Sequence, residues 1–202
     1  MTRMKTSKLT HYLLFLTSIV VSTFALASGK GEGVTDEALK EVKRAAVETS
    51  ADRERIQKAA VLLANYELEA KKLIEMVEED KPVASDVSQQ AGKLMDLSET
   101  VIDSARFRLP QCDDYLAQSM MLKGKLGEIS HDSLEKDYHH DGALPKAPFE
   151  CYHAKDLFVH PATVIVLTRD DPGIGDETRT SIKAEISEVL AHTEVVRQLV
   201  IY

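Results

Sequence analysis

Apolar residues recur every three or four positions over four stretches of the chain, the period of an α-helix with one buried face. The first stretch, residues 36–79, has no glycine or proline. The second lies between Pro82 and Pro110, the third is expected to begin near Cys112, and the last covers residues 176–200. The stripes comprise Ala59, Leu63, Tyr66, Ala70, Leu73 and Val77, then Val87, Ala91, Leu94, Val101 and Ala105, then Tyr115, Leu122, Leu126 and Ile129, and finally Ile182, Ile186, Val189, Thr193, Val196 and Val200.

Four long amphipathic segments without alternating strands predict an all-α protein, arranged as an antiparallel four-helix bundle. Residues 161–169 are expected to add a short buried helix that begins at Pro161, because proline fits the first turn of a helix. The Pro- and His-rich segment before it is then a loop between the third and last long helices. No repeat or second domain is indicated, so residues 28–202 are expected to form a single domain.

The first 27 residues have the pattern of a secretory signal peptide. Three basic residues precede the apolar run YLLFLTSIVVSTFALA, which closes on Ala25-Leu26-Ala27, the small-x-small pattern that a signal peptidase accepts. The uninterrupted apolar run is shorter than the roughly 20 residues that a membrane span needs. We therefore expect a soluble periplasmic or secreted protein, with no stable membrane insertion after cleavage behind Ala27.

The charge of the chain restricts its partners. Cleavage would remove three basic and no acidic residues, so the formal net charge would change from −8 to −11. A surface of this charge repels phosphate backbones, and nucleic acid is therefore not an expected partner. Cations, or a basic protein, are the natural counterparts.

Cys112 and Cys151 are the two cysteines of the chain. In an oxidising compartment two thiols most often form one structural disulfide. Closing a loop of about 40 residues should stabilise the fold by about 4 kcal/mol in the chain-entropy model. The spacing does not match the Cys-x-x-Cys motif of redox-active thiols.

Common catalytic motifs are absent from the sequence. It has no Gly-x-Ser-x-Gly elbow, no phosphate-binding loop and no His-Glu-x-x-His pair. It also has no Cys-x-x-Cys-His motif, which argues against covalent haem. A non-enzymatic protein is therefore favoured.

The histidines are the strongest chemical signal. Outside the signal-like segment the chain has six, and five of them lie between residues 131 and 160. His153 and His160 are seven residues apart, so a helix from Cys151 onward would place both on one face, with Asp156 beside them. Neutral imidazole suits Zn²⁺, Cu²⁺ or Ni²⁺.

We therefore predict that this segment binds a divalent transition metal. In this interpretation the ligands are His153 and His160 together with one or both of His139 and His140, and His131 contributes from the end of the third helix. Otherwise the same histidines are solvated loop residues or caps.

Three alternatives remain open from the sequence. An accessory protein would present acidic helical faces to another periplasmic protein. A di-iron centre would use Glu-x-x-His pairs, of which the chain has Glu128–His131 and Glu150–His153. A non-covalent haem would need His192, which is expected to be only a boundary residue because it lies at the edge of its apolar stripe.

Overall fold

The computed structural model describes residues 36–201, and within this range it contains helices and turns but no β-strand. The predicted all-α class is therefore confirmed. Contacts divide the chain between Lys40 and Glu41, and the features below belong to the unit that begins at Glu41. The α-helices are α1 (Asp36–Glu78), α2 (Ala84–Arg108), α3 (Asp113–Met120), α4 (His131–Leu134), α5 (Tyr152–Asp170) and α6 (Asp176–Val200).

The proposed signal peptide, residues 1–27, lies outside the residues that the structure describes. Between residues 36 and 201, no helix combines the length and the apolar character that crossing a membrane would require.

The apolar stripes predicted for α1, α2 and α6 form the core. Every residue of these three stripes is buried. The facing surfaces of the helices are thus set by the three-four spacing of apolar residues, which places them on one side of each helix.

The predicted third long helix is wrong, because α3 ends at Met120. The chain tightens into a 3₁₀ turn, Met121–Lys125, where Gly124 stands, and a turn follows around Gly127. Each glycine costs a helix about 1 kcal/mol relative to alanine. Arg169 of α5 donates to the carbonyls of Leu126 and Ile129, at 2.6 and 2.8 Å. The hydrogen bonds from Arg169 therefore satisfy backbone carbonyls that in a continuous helix would accept from N–H groups of the same helix.

Residues 161–169 are helical, as predicted, but the helix does not begin at Pro161, which lies inside the 19-residue helix α5. Proline has no N–H, so the carbonyl of Leu157, four residues earlier, loses its usual helical partner. The hydroxyl of Tyr66 in α1 donates to that carbonyl at 2.9 Å. This bond compensates the defect and joins α1 to α5.

Helix α5 is the most buried element. Thirteen of its nineteen residues are buried, on all sides of the helix, as expected for a helix surrounded by others. It packs mainly against α2 and α6. The end of the predicted Pro- and His-rich loop is therefore helical, and it places Lys155, Asp156 and His160 in the interior.

The predicted disulfide is present between Cys112 and Cys151, with an S–S distance of 2.04 Å. Each cysteine ends a 3₁₀ turn, Pro110–Cys112 before α3 and Phe149–Cys151 before α5. The bond therefore joins the beginnings of these two helices and closes the segment that contains α3, α4 and the Pro-rich loop.

We expect the double variant Cys112→Ala, Cys151→Ala to have a free energy of unfolding about 4 kcal/mol lower than the oxidised protein, because the unfolded chain regains the freedom of the closed loop. Urea titration followed by circular dichroism measures this. Reduced wild-type protein is the control and should resemble the variant, whereas a variant as stable as the oxidised protein would contradict the assignment.

Tyr66→Phe should lower the free energy of unfolding by about 1–3 kcal/mol, because it leaves the buried Leu157 carbonyl without a partner. In a Pro161→Ala background the alanine N–H can donate to the same carbonyl, so Tyr66→Phe should cost less there. A double-mutant cycle in urea measures the coupling. Equal costs in the two backgrounds would show that Tyr66 does not compensate for the proline.

Candidate metal centre

Helices α5 and α6 are joined by a short turn that makes them antiparallel neighbours. In this turn, the carboxylate of Asp171 accepts hydrogen bonds from the N–H groups of Gly173 and Gly175 and from the hydroxyl of Thr178. Ile174 takes a positive φ of 45° in the turn. The carboxylate therefore accepts hydrogen bonds from the backbone N–H groups that this short turn would otherwise leave without partners.

Matching spacings then bring polar residues of the two helices together. His153 and His160 are seven residues apart on α5, and Glu185 and His192 are seven apart on α6. Seven residues are about two helical turns, so in antiparallel helices both pairs come into register. His160 meets Glu185, with Nδ1 at 2.8 Å from Oε2, and the ring centroids of His153 and His192 are 4.8 Å apart.

Five imidazoles follow one another through the protein, and we call them the histidine row: His153, His192, His160, His139 and His140. Successive ring centroids are 4.8, 5.7, 4.5 and 6.2 Å apart. The central ring, of His160, is fully buried, whereas His153 is half-buried and His140 is exposed. The row therefore runs from a half-buried end at His153 through the interior to an exposed end at His140.

Two carboxylates lie beside the row. Oε2 of Glu185 is 2.8 Å from Nδ1 of His160 and 3.4 Å from Nε2 of His139. Oδ2 of Asp156 is 2.8 Å from Nδ1 of His192. Two groups result, each with ligand atoms within 4.8 Å of one another. The first triad is His139, His160 and Glu185, and the second triad is Asp156, His160 and His192.

Several ligand atoms of this cluster are buried without a hydrogen-bond partner. Among the described residues, all buried side-chain nitrogen and oxygen atoms of this kind lie in this region. They are Glu135 Oε1, His139 Nε2, His153 Nδ1, Asp156 Oδ1 and Oδ2, His160 Nε2 and His192 Nδ1. The close contact between Asp156 and His192 is an ion-pair distance that lacks the alignment of a hydrogen bond. Buried polar atoms usually have partners, so this concentration needs an explanation.

Lys155 supports the cluster from within the core. Its ammonium group has no exposed surface and donates to the carbonyls of Tyr138 and His139, both at 2.9 Å. It also lies 3.0 Å from Oδ1 of Asp141 and 3.3 Å from Oδ1 of Asp156. Since His139 ends a π-helical turn, Glu135–His139, these bonds hold that turn against α5 and its imidazole beside the first triad.

Opposing effects of burial and neighbouring charge act on the pKa values of Glu185 and His139 in the first triad. Burial by itself raises the pKa of Glu185, but His139 and His160 oppose this and lower it to about 2. Burial lowers the pKa of His139, yet the carboxylate of Glu185 outweighs it, so the pKa is raised from its usual 6.5. The raised pKa of His139 therefore favours its protonated form, which competes with a cation for the imidazole.

The second triad also favours ionised carboxylate. Burial by itself raises the pKa of Asp156, but His192 and the ammonium of Lys155 lower it below its usual value. Burial and the neighbouring His192 lower the pKa of His153, so this imidazole is neutral at pH 7. Neutral imidazole and ionised carboxylate are the forms that bind metal.

The five predicted histidines lie in different positions relative to this cluster. His139 and His160 belong to the first triad, and His160 to both. His153 contacts the ring of His192 at the half-buried end of the row, and His140 is exposed at the other end. His131 lies outside the row, where its Nε2 is 3.7 Å from Oε1 of Glu135. The structure thus brings together three of the five and leaves two at or beyond its edge.

Three residues of the triads were missed or passed over by the sequence reasoning. His192 was expected to be a boundary residue, but its Nδ1 lies 2.8 Å from Asp156. Glu185 was not considered, and Asp156 was expected only to accompany the histidines. The seven-residue spacing that α5 and α6 share is the signal that identifies Glu185 and His192, once the two helices are known to be antiparallel neighbours.

The Glu-x-x-His pairs do not form a site of their own. Glu128 is exposed in the turn after α3, and Glu150 accepts a hydrogen bond from Gln111 at 3.3 Å. Neither glutamate belongs to either triad. The geometry gives no support to a di-iron centre built from these pairs.

Comparison with known proteins gives no guide to this site, since no family model, curated protein or solved structure matches the chain.

In the metal-free protein, Glu185→Gln should lower the free energy of unfolding more at about pH 5.5 than at about pH 8.5. Because the pKa of His139 is raised in the folded protein, this residue contributes its full stabilisation below pH 6.5, and the contribution is lost as the pH rises through the raised pKa. Because the pKa of Glu185 is lowered, this residue contributes its full stabilisation above pH 4.5, and the contribution is lost as the pH falls towards about 2. Both contributions are therefore present together between 4.5 and 6.5.

Urea titrations of both proteins at the two pH values measure this difference. Glu188→Gln removes the same charge from an exposed position of α6 and should show no such pH dependence. A penalty for Glu185→Gln that is the same at both pH values would contradict the pairing of His139 with Glu185.

Proposed function

We propose that the chain is a metal-binding protein that holds a divalent transition metal, Zn²⁺, Cu²⁺ or Ni²⁺, in the cluster around His160. The observation that carries this proposal is the set of buried ligand atoms without hydrogen-bond partners, which converge from α5, α6 and the π-helical turn. A buried polar atom that makes no hydrogen bond is costly to the fold. One cation satisfies several of them at once.

The donor set fits such an ion. Imidazole nitrogen with carboxylate oxygen is the ligand combination of Zn²⁺, Cu²⁺ and Ni²⁺ sites. Metal–ligand bonds of about 2.0–2.1 Å with tetrahedral angles put ligand atoms about 3.3 Å apart. The contacts within the triads include distances of 2.8 and 3.4 Å, and none exceeds 4.8 Å. Side-chain rotation on loading is enough to close the wider gaps.

The residues behind the ligands are of the kind that tune metal sites. A ligating histidine usually donates its other N–H to a carboxylate, which fixes the tautomer and the direction of the ring. Glu185 has this relation to His160 for an ion bound at Nε2, and Lys155 holds the backbone of His139. The cluster therefore has both ligand atoms and groups that orient them.

The setting of this function follows from features outside the cluster. We propose a periplasmic or secreted protein, which the disulfide and the signal-like residues 1–27 support. We further propose that α1, α2, α5 and α6 act as an antiparallel four-helix bundle, a scaffold that commonly carries metal sites between facing helices. The absence of catalytic motifs favours binding or storage of the ion over catalysis.

The metal-free protein should bind Zn²⁺, Cu²⁺ or Ni²⁺ in isothermal titration calorimetry, and His160→Gln should weaken binding at least about 100-fold, beyond the usual effect of an outer-shell residue. His160 is chosen because it belongs to both triads. Affinity should also fall as the pH drops through about 6, since protonated imidazole does not bind metal.

His131→Gln is the matched control, because it makes the same change outside both triads and should leave affinity unchanged. Thermal unfolding without metal checks that both variants fold, and added metal should raise the melting temperature of the control but not of His160→Gln. If wild type and His160→Gln bind equally weakly without pH dependence, the site is refuted. An accessory protein that binds a partner through acidic helical faces then becomes the better account.

A further inference from the structure

The two triads share one residue, His160, and its two ring nitrogens have different neighbours. Nδ1 lies 2.8 Å from Glu185, whereas Nε2 is buried without a hydrogen-bond partner. We propose that the cluster holds two divalent cations, one in each triad, bridged by the imidazole of His160. This proposal rests on the proposed function and adds the number of ions and their connection.

The first cation would bind Nε2 of His139, Oε2 of Glu185 and Nδ1 of His160. These atoms are already close, with Oε2 2.8 Å from Nδ1 and 3.4 Å from Nε2. Glu135 begins the same π-helical turn that His139 ends, and its Oε1 is buried without a hydrogen-bond partner. This position thus has three ligands and a further carboxylate available.

The second cation would bind Asp156, Nδ1 of His192 and Nε2 of His160. The contact of Asp156 with His192 is 2.8 Å, and all these side chains have ligand atoms without hydrogen-bond partners. His153 adds another such atom, Nδ1, and its ring lies 4.8 Å from that of His192. The second position therefore has its own unpartnered atoms, which the first cation would not satisfy.

The geometry of imidazole separates the two positions. Its two nitrogen lone pairs diverge in the plane of the ring, so one cation can bind only one of them. With an ion only in the first triad, the atoms of Asp156 and His192 and Nε2 of His160 would remain without hydrogen-bond partners, and with an ion only in the second triad, Nε2 of His139 would. Both sets of atoms are satisfied only when both positions are filled.

The charges of the surrounding residues suit two divalent ions. Asp141, Asp156, Glu135 and Glu185 are carboxylates of this region, and Lys155 is its ammonium group. Together these five groups carry three negative charges. When the second cation binds, the remaining ring proton of His160 leaves to solvent, and the imidazolate adds a fourth negative charge. The four positive charges of the two cations are then balanced.

Copper titration of the metal-free protein tests this proposal, with stoichiometry from native mass spectrometry and spin state from electron paramagnetic resonance. We expect two Cu²⁺ ions per chain. The integrated signal per copper should be lost at low temperature in the fully loaded protein, because two spins bridged by imidazolate couple antiferromagnetically.

Variants that remove one position at a time sharpen the test. His139→Gln and His192→Gln should each bind one Cu²⁺ ion and show its full, uncoupled signal. His140→Gln is the matched control, because it is exposed at the end of the row and outside both triads, and it should keep two coupled ions.

The outcomes separate this proposal from the proposed function. One ion per wild-type chain, or two ions with additive, uncoupled signals, would overturn the bridge and leave metal binding intact. No bound copper, zinc or nickel would overturn both. The wild-type measurement alone is decisive, so a variant that fails to fold does not change the result of the test.

Discussion

The burial of helix α5 is the constraint on which the rest of the structure depends. Its buried face includes Lys155, Asp156 and His160, none of which has exposed surface. Polar and charged groups in the interior are costly unless other groups compensate them, so the elements around α5 must present partners at defined positions. The carbonyls of the π-helical turn accept hydrogen bonds from the ammonium group of Lys155. Helix α6 places the carboxylate of Glu185 beside His160 and the imidazole of His192 beside Asp156. One helix therefore sets the placement of several neighbours.

The same constraint gives structure to the segment between α2 and α5. Lys155 binds the end of the π-helical turn, Arg169 binds the carbonyls of Leu126 and Ile129, and the disulfide joins the beginning of α3 to the beginning of α5. A segment that is poor in regular helix is thus held at several points along α5. This is what allows His139, which lies outside the long helices, to meet a histidine of the core.

The cluster around His160 differs from the rest of this network in one respect. Tyr66 and Arg169 supply donors for backbone carbonyls, so those sites are complete. In the cluster, by contrast, several nitrogen and oxygen atoms lie at ion-pair distance from one another but make no hydrogen bond. The proposed cations would supply the partners that these atoms lack.

The sequence by itself determined the all-α class, the core stripes of α1, α2 and α6, and the cysteine pair, because each depends on local periodicity or on a simple count of residues. It also located the histidine-rich segment, including His139, His153 and His160. Only the tertiary structure decided that α3 ends early, that Pro161 lies within a helix, and that His192, Glu185 and Asp156 join the cluster. The physical reason is that these outcomes depend on groups far away in the chain, such as Tyr66 compensating the proline defect and α6 lying antiparallel to α5. Local propensity and periodicity describe the preferences of a segment, whereas the partners that override them come from the packing of the whole chain.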